Sequence, residues 1–208
     1  MLHLSDFDYE LPSELIASRP LDRRDASRML VVNGDVQNDK NVRDFVDYLQ
    51  AGDVVVFNNS RVIPARFMAD GKHEITLHTA VDDKIWWGLC KKFNKIPDGT
   101  ILTLDNGDQI RVLAHDDDSG LKLEFLCDNV FETLNAVGKM PLPPYMKREA
   151  ELADQERYQT VYSKPLGSMA APTAGLHFTD ELIKKGATDI VVVGDDGTLH
   201  EVINGFSN

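Results

Sequence analysis

Residues 101–113 read ILTLDNGDQIRVL. Two short apolar runs, Ile101–Leu104 and Gln109–Leu113, flank Asp105-Asn106-Gly107-Asp108. An Asn-Gly pair between such runs supplies the positive φ angles that a tight hairpin needs. The same character extends on both sides. Ile75, Leu77 and Thr79 alternate with Thr76 and His78, and Leu121, Leu123 and Phe125 alternate with Lys122 and Glu124. Ile85-Trp86-Trp87 adds a strand in which one indole faces the core and the other faces outward. Successive short strands with no helix between them predict a small all-β, barrel-like domain over residues 68–128.

The flanking sequence has a different period. Pro12 suits a first helical position ahead of Leu15 and Ile16, and Pro20 ends that turn. Met29–Val32 is a short strand closed by Asn33-Gly34. Val42, Phe45, Val46 and Leu49 follow the spacing of an amphipathic helix that stops before Gly52. Val54–Phe57 is apolar throughout, which predicts a strand buried on both faces. Phe131, Leu134 and Val137 give a helix ending at Gly138, and the charged residues 149–157 give another. Thr179 caps a last helix with acids at its start, Lys184 and Lys185 at its end, and Gly186 closing it. Ile190–Val193 and a segment around Leu199–Ile203 are the final strands. The expected fold is therefore a mixed α/β main domain, discontinuous over residues 1–67 and 129–208, interrupted by the β insert at 68–128.

The chain has 208 residues, 42% hydrophobic and 27% charged, an ordinary globular composition that excludes disorder along its length. No apolar run approaches the ~18 residues of a membrane span, and the opening MLHLSDFDYELP carries acids where a secretory signal carries bases. Cys90 and Cys127 form no CxxC pair and are expected as free thiols in a reducing compartment, the cytoplasm. The net charge of −12, from 34 acids and 22 bases, argues against non-specific coating of nucleic acid. It leaves room for a local basic face, with Arg19, Arg23, Arg24 and Arg28 as candidate RNA contacts, or for a solvated, salt-bridged loop at the same place. The six histidines lack any metal-binding spacing, so no metal is expected, and neither a GxGxxG nor a P-loop pattern is present.

Three stretches are unusual for plain packing. Phe57-Asn58-Asn59-Ser60-Arg61-Val62-Ile63-Pro64-Ala65-Arg66 places a polar loop after a strand, where open α/β sheets hold ligands; Arg61 and Arg66 suit a carboxylate or phosphate. Pro141–Arg148 (PLPPYMKR) fixes Tyr145 and Arg148 on a proline-stiffened strap, with Tyr145 able to stack on a base and Arg148 to meet a phosphate. Ala170–Thr179 (AAPTAGLHFT) is a run of small residues that lets a ligand approach the backbone, followed by His177, an acid or base near neutral pH. Each also has a structural reading: paired arginines in a turn, a rigid connector, and a histidine satisfied within the core.

These stretches, with SDFDYELPSELIASRPLDRRDASRML at the start and ERYQTVYS at 156–163, resemble the S-adenosylmethionine:tRNA ribosyltransferase-isomerase family of queuosine biosynthesis. The similarity covers residues 1–68 and 139–185 well, with Asn59-Ser60 standing where the family has an acid-Thr or Asn-Thr pair. It implies transfer and isomerisation of the ribosyl part of S-adenosylmethionine onto 7-aminomethyl-7-deazaguanine at the tRNA wobble position. Epoxyqueuosine-tRNA results, and adenine and methionine leave. S-adenosylmethionine is then a ribosyl-donor substrate, and tRNA with a queuosine-type anticodon the macromolecular partner. Within the matching segment His177 is the leading acid/base candidate, because its side chain alone there titrates near pH 7. The resemblance implies substrate contacts from Arg61, Arg66, Tyr145, Arg148, Tyr158, Gln159, Thr160, Thr173, Ala174 and Gly175. Family members continue beyond this chain's end, with TNFHLP- and SYGDAM-type motifs not found here. Their LHVGxGTF motif survives only as Val191–Leu199, with Val193 at its histidine position. Two alternatives follow: a non-catalytic or incomplete relative that binds tRNA or nucleotide, and one half of a split enzyme completed by a second polypeptide.

Overall fold

A computed structural model describes residues 3–186 and 190–193. The hairpin at 101–113 is present. Strand β8 (Ile101–Thr103) and strand β9 (Gln109–Asp116) pair antiparallel, and Gly107 turns between them at φ +90°. Numbering follows the chain from β1 (Arg28–Asn33), β2 (Val36–Asn41), β3 (Val55–Asn58) and β4 (Arg61–Val62). The strands β5 (Arg66–Ala69), β6 (His73–Ala80), β7 (Ile85–Cys90) and β10 (Gly120–Phe125) join β8 and β9 in one antiparallel sheet of order β5-β6-β7-β10-β9-β8. The two edge strands meet at an Ala69–Leu104 bridge. There the Asp70 N–H donates to the Thr103 carbonyl at 2.8 Å, and the Asp70 carboxylate accepts from the Thr103 N–H at 2.9 Å. The sheet is thus curled into a nearly closed barrel.

The alternation in sequence becomes the two faces of that barrel. Phe67, Ile75, Leu77, Leu102, Ile110, Val112, Leu121, Leu123 and Phe125 fill the interior. Trp86 is in this core, edge-on to Phe131 at 6.3 Å, while Trp87 lies outside with the Lys122 ammonium 5.9 Å over its ring. Helix α1 (Val130–Val137) lies on the same core through Val130 and Leu134. Its N-cap Asn129 accepts from the N–H groups of Phe131 and Glu132. Gly138 ends the helix because the chain passes too close to Pro64 for a side chain: a Cβ there would stand 2.0 Å from the Pro64 oxygen.

Around the barrel lie three two-stranded sheets. The hairpin β1–β2 turns at Gly34, β4 runs parallel to β11 (Leu166–Ser168), and β3 runs parallel to β12 (Ile190–Val193). Two further short helices are α2 (Asp154–Arg157) and α3 (Asp180–Gly186). The Thr179 hydroxyl caps α3 by accepting from the Leu182 N–H at 3.1 Å. The architecture is strand-rich with few helices among the described residues.

Four expectations change. Residues 42–48 form 3₁₀ turns instead of an α-helix: VRDFVDY holds β-branched, aromatic and aspartate residues of low helix propensity. The segment still packs its apolar side, with Phe45 edge-on to Phe178 at 5.5 Å. The opening has 3₁₀ turns at Leu4–Phe7 and Ser13–Leu15 instead of a helix, with Leu15 left exposed. Residues 149–153 stay outside α2, because the Asp154 carboxylate caps the Glu151 N–H and holds a turn there. Strand β3 buries Phe57 but leaves Val56, and Val54 just before it, 38% and 51% exposed, since its sheet has two strands among the described residues. The segment expected around Leu199–Ile203, and most of the Val191–Leu199 motif, lie outside the described residues.

The close approach at Gly138 makes a stability test. Gly138→Ala is expected to destabilise the fold by about 2–3 kcal/mol through overpacking. Asn135→Ala, on the exposed side of α1, is expected to stay within about 0.5 kcal/mol of wild type. Urea unfolding of both variants checks this.

Candidate functional site

The strap after α1 begins by pairing with β5: the Lys139 N–H donates to the Arg66 carbonyl at 2.6 Å. Met140 and Leu142 then turn inward, packing with Val62, Tyr158 and Ala171 in a second apolar cluster. Pro144–Met146 forms a 3₁₀ turn, and Lys147 takes a left-handed conformation at φ +50° that carries the chain on to Arg148. Facing the strap is the turn Thr173–His177. Gly175 is closely packed there by side chains. A Cβ would stand 2.4 Å from the Tyr162 hydroxyl, whose pKa burial pushes up to about 12.

Between strap and turn lies a cavity of about 200 Å³. Leu142, Tyr145, Met146 and Tyr158 give it apolar and aromatic surface, and Thr173, Leu176 and His177 form the side opposite the strap. Its remaining wall is the N-terminal arm, Ala17–Leu21 with Arg24 and Ser27. Arginines fasten this arm to the C-terminal half. Arg148 donates from Nε to the Ser18 carbonyl at 2.7 Å, and its two terminal nitrogens each lie 2.7 Å from an Asp154 oxygen. Arg19 pairs with Glu151 through two hydrogen bonds. Arg157 donates to the carbonyls of Leu21 and Asp22. Arg24 donates to the carbonyls of Gln159, Leu176 and Glu156 at 2.8, 3.0 and 2.9 Å.

The Arg148–Asp154 pair is the least exposed of these links, with side chains 14% and 8% accessible. The Arg148 guanidinium, opposed by burial and helped by the Glu151 N–H, holds the Asp154 carboxyl below its usual pKa. His177 is half-buried, and among the described residues its ring has no hydrogen-bond partner. Burial, then the positive charge of Arg24, lowers its pKa below 6.5. The imidazole is therefore neutral at pH 7, the form in which it accepts a proton.

The cavity brings together Arg19, Arg24, Tyr145, Arg148, Tyr158, Thr173 and His177 from the sequence candidates. It does not include Arg61 or Arg66. Arg61 is exposed on β4, and Arg66 donates to the Leu142 carbonyl at 3.1 Å, supporting the strap from behind. Among the described residues β3 belongs to a two-stranded parallel pair, not to the open sheet on which the switch-point expectation rests. Gln159 is also occupied: its amide exchanges two hydrogen bonds with the Val62 backbone. Thr160 is buried beside the Gly175 turn, and Ala174 is exposed outside the cavity lining. Arg148 and Arg24 use their donors on protein partners, so neither stands as a free phosphate contact. Arg23 pairs with Asp25 yet remains largely exposed, and Arg28 is exposed. Sequence reasoning missed Asp154, Arg157 and, apart from Arg19, the Ala17–Leu21 wall. Asp154 lies in a charged run that looks solvated, and only its placement beside Arg148 marks it.

The lowered Asp154 pKa has a definite sign. Its stabilisation is complete above the ordinary carboxylate range and fades as pH falls through the lower folded value. Asp154→Ala leaves Arg148 unpaired and is expected to cost about 3 kcal/mol at pH 7. The gap between variant and wild type in urea midpoints is expected to narrow on acidification below pH 4.

The family model described as "Queuosine biosynthesis protein" matches residues 4–200. The S-adenosylmethionine:tRNA ribosyltransferase-isomerase of Desulforamulus reducens is 42% identical over 193 residues, covering 88% of this chain and 56% of that protein. A crystal structure of S-adenosylmethionine tRNA ribosyltransferase from Thermotoga maritima aligns with 96% of this chain and 64% of its own, at 27% identity and a TM-score of 0.40. The chain thus spans about half the length of the curated relative it matches, and these matches give no support to a second polypeptide that completes it. With a family match running through nearly all of its sequence, the chain belongs to the queuosine biosynthesis protein family.

Proposed function

We propose that this chain acts in queuosine biosynthesis as an S-adenosylmethionine:tRNA ribosyltransferase-isomerase, with S-adenosylmethionine as ribosyl donor and tRNA as acceptor. The observation that carries this reading is the half-buried His177, its ring without a hydrogen-bond partner among the described residues, facing Tyr145 across one cavity, each within a stretch that resembles the family. The ribosyl carbon beside the sulfonium bears an acidified hydrogen. His177 takes that proton, and the electron pair left on carbon drives the rearrangement that ends with loss of adenine and methionine. Tyr145 stacks on a base, and Thr173 contacts the donor nucleoside. The acceptor is the aminomethyl group of a 7-deazaguanine at the wobble position, and epoxyqueuosine is the product.

In this reading residues 68–128 form an inserted β domain, and 1–67 with 129–208 form the main domain that holds the cavity. The tRNA backbone meets the exposed Arg23 and Arg28 on the arm side, while Arg19, Arg24 and Arg148 shape the pocket. A second reading is that the chain binds its ligands without turning them over, with Arg24 and Arg148 already engaged by protein groups.

Adenine release from S-adenosylmethionine with precursor-bearing tRNA separates the two. Turnover that falls about 10²–10⁴-fold in His177→Ala supports the first. Saturable binding of both ligands with no adenine released supports the second, and turnover unchanged in His177→Ala contradicts the catalytic assignment. tRNA binding is expected to weaken as salt rises. Removing Arg28 is expected to flatten that dependence by roughly one phosphate contact.

A further inference from the structure

Arg24 stands apart from the other arginines of the cavity. Arg19 and Arg148 meet carboxylates, whereas Arg24 is half-buried and sets its guanidinium on three backbone carbonyls. Two of those carbonyls, of Glu156 and Gln159, flank the end of α2. The third belongs to Leu176, immediately before His177. One side chain from the arm therefore joins the two segments that must stay in register for His177 to face the strap. A planar fork with several donors suits this task, and a lysine ammonium does not reproduce it.

The groups that face His177 across the cavity are Arg19 and Arg24 from the arm, Tyr145 and Arg148 from the strap, and Asp154, Arg157 and Tyr158 from α2 and its end. Asp154 is balanced by Arg148, and Arg19 by Glu151. That leaves Arg24 and Arg157 as cations bound only to neutral carbonyls, with Arg24 the one whose charge bears on the His177 ring.

We propose that Arg24 is a positioning residue for His177: its guanidinium fixes the Thr173–His177 turn through the Leu176 carbonyl and keeps a permanent positive charge next to the imidazole. The proposal rests on the reading of His177 as the base. It assigns Arg24 two separable duties, geometry and charge, instead of a contact to tRNA phosphate. The lowered His177 pKa agrees with the second duty, burial being the larger cause and Arg24 the next.

The test uses the purified chain and the proton NMR titration of its histidines, assigned with His177→Gln, in wild type, Arg24→Lys and Arg24→Gln. In Arg24→Gln the His177 midpoint is expected to move upward, because the cation is gone and the turn is less enclosed. In Arg24→Lys it is expected to stay near wild type, because the charge remains. Turnover in the adenine-release assay is expected to fall in both, toward about 10²-fold for a displaced base, with little change in KM for tRNA. The acid limb of its pH profile moves upward in Arg24→Gln alone. A His177 midpoint unchanged in Arg24→Gln overturns the proposal. So does a loss confined to tRNA affinity, which assigns Arg24 to phosphate. If His177→Ala retains full turnover while the Arg24→Gln midpoint still moves, the base assignment fails and the placement by Arg24 stands.

Discussion

The bidentate contact between Arg148 and Asp154 is the constraint on which the cavity depends. It joins the end of the proline strap to the start of α2, and the same guanidinium reaches the Ser18 carbonyl of the N-terminal arm. Three segments far apart in sequence thereby meet at one side chain. Each added contact, Arg19 on Glu151, Arg157 on the Leu21 and Asp22 carbonyls, Arg24 on three more, extends the same principle. A buried guanidinium must satisfy its donors, and carbonyls of irregular chain are the partners within reach. Of the four arginines that look like a nucleic-acid face in sequence, Arg19 and Arg24 tie the arm to the C-terminal half, while Arg23 and Arg28 stay exposed.

The barrel provides the rigid reference for these irregular segments. Its interior is filled from alternate positions of six strands, and α1 closes against that core before the chain turns at Gly138 into the strap. Lys139 pairs with Arg66 at the barrel's edge strand, so the strap leaves the barrel with its direction set. Beyond it, Leu142 and Tyr158 bury against Val62, and Gln159 locks to the Val62 backbone. The site sits on loops, and neighbouring sheet edges hold those loops.

Much of the strand pattern was legible because period-two alternation and an Asn-Gly turn are local signals. The hairpin at 101–113, one inward and one outward indole at Trp86-Trp87, and the Thr179 cap all follow from neighbours in sequence. The helix expected at 42–49 was not legible, because apolar spacing alone does not tell 3₁₀ turns from an α-helix when propensity is poor. The site was legible in part. Tyr145 and His177 stand out as an aromatic and a titratable group among small or rigid residues, and both line the cavity. Arg61 and Arg66 stand out equally in sequence but lie outside it, since their position depends on which strands pair with β3 and β4. Asp154 and the role of Arg24 depend on contacts across more than a hundred residues, in Arg24's case, or on burial inside a charged run, in Asp154's.

The central claim is that the arm, the strap and the His177 turn enclose one ligand cavity. A crystal structure of the chain with S-adenosylmethionine tests it most directly. The account predicts the nucleoside between Tyr145 and His177, with the arm residues Ala17–Leu21 closed over it. Ligand density at the Arg61–Arg66 loop, with the cavity beside His177 left empty, would contradict it.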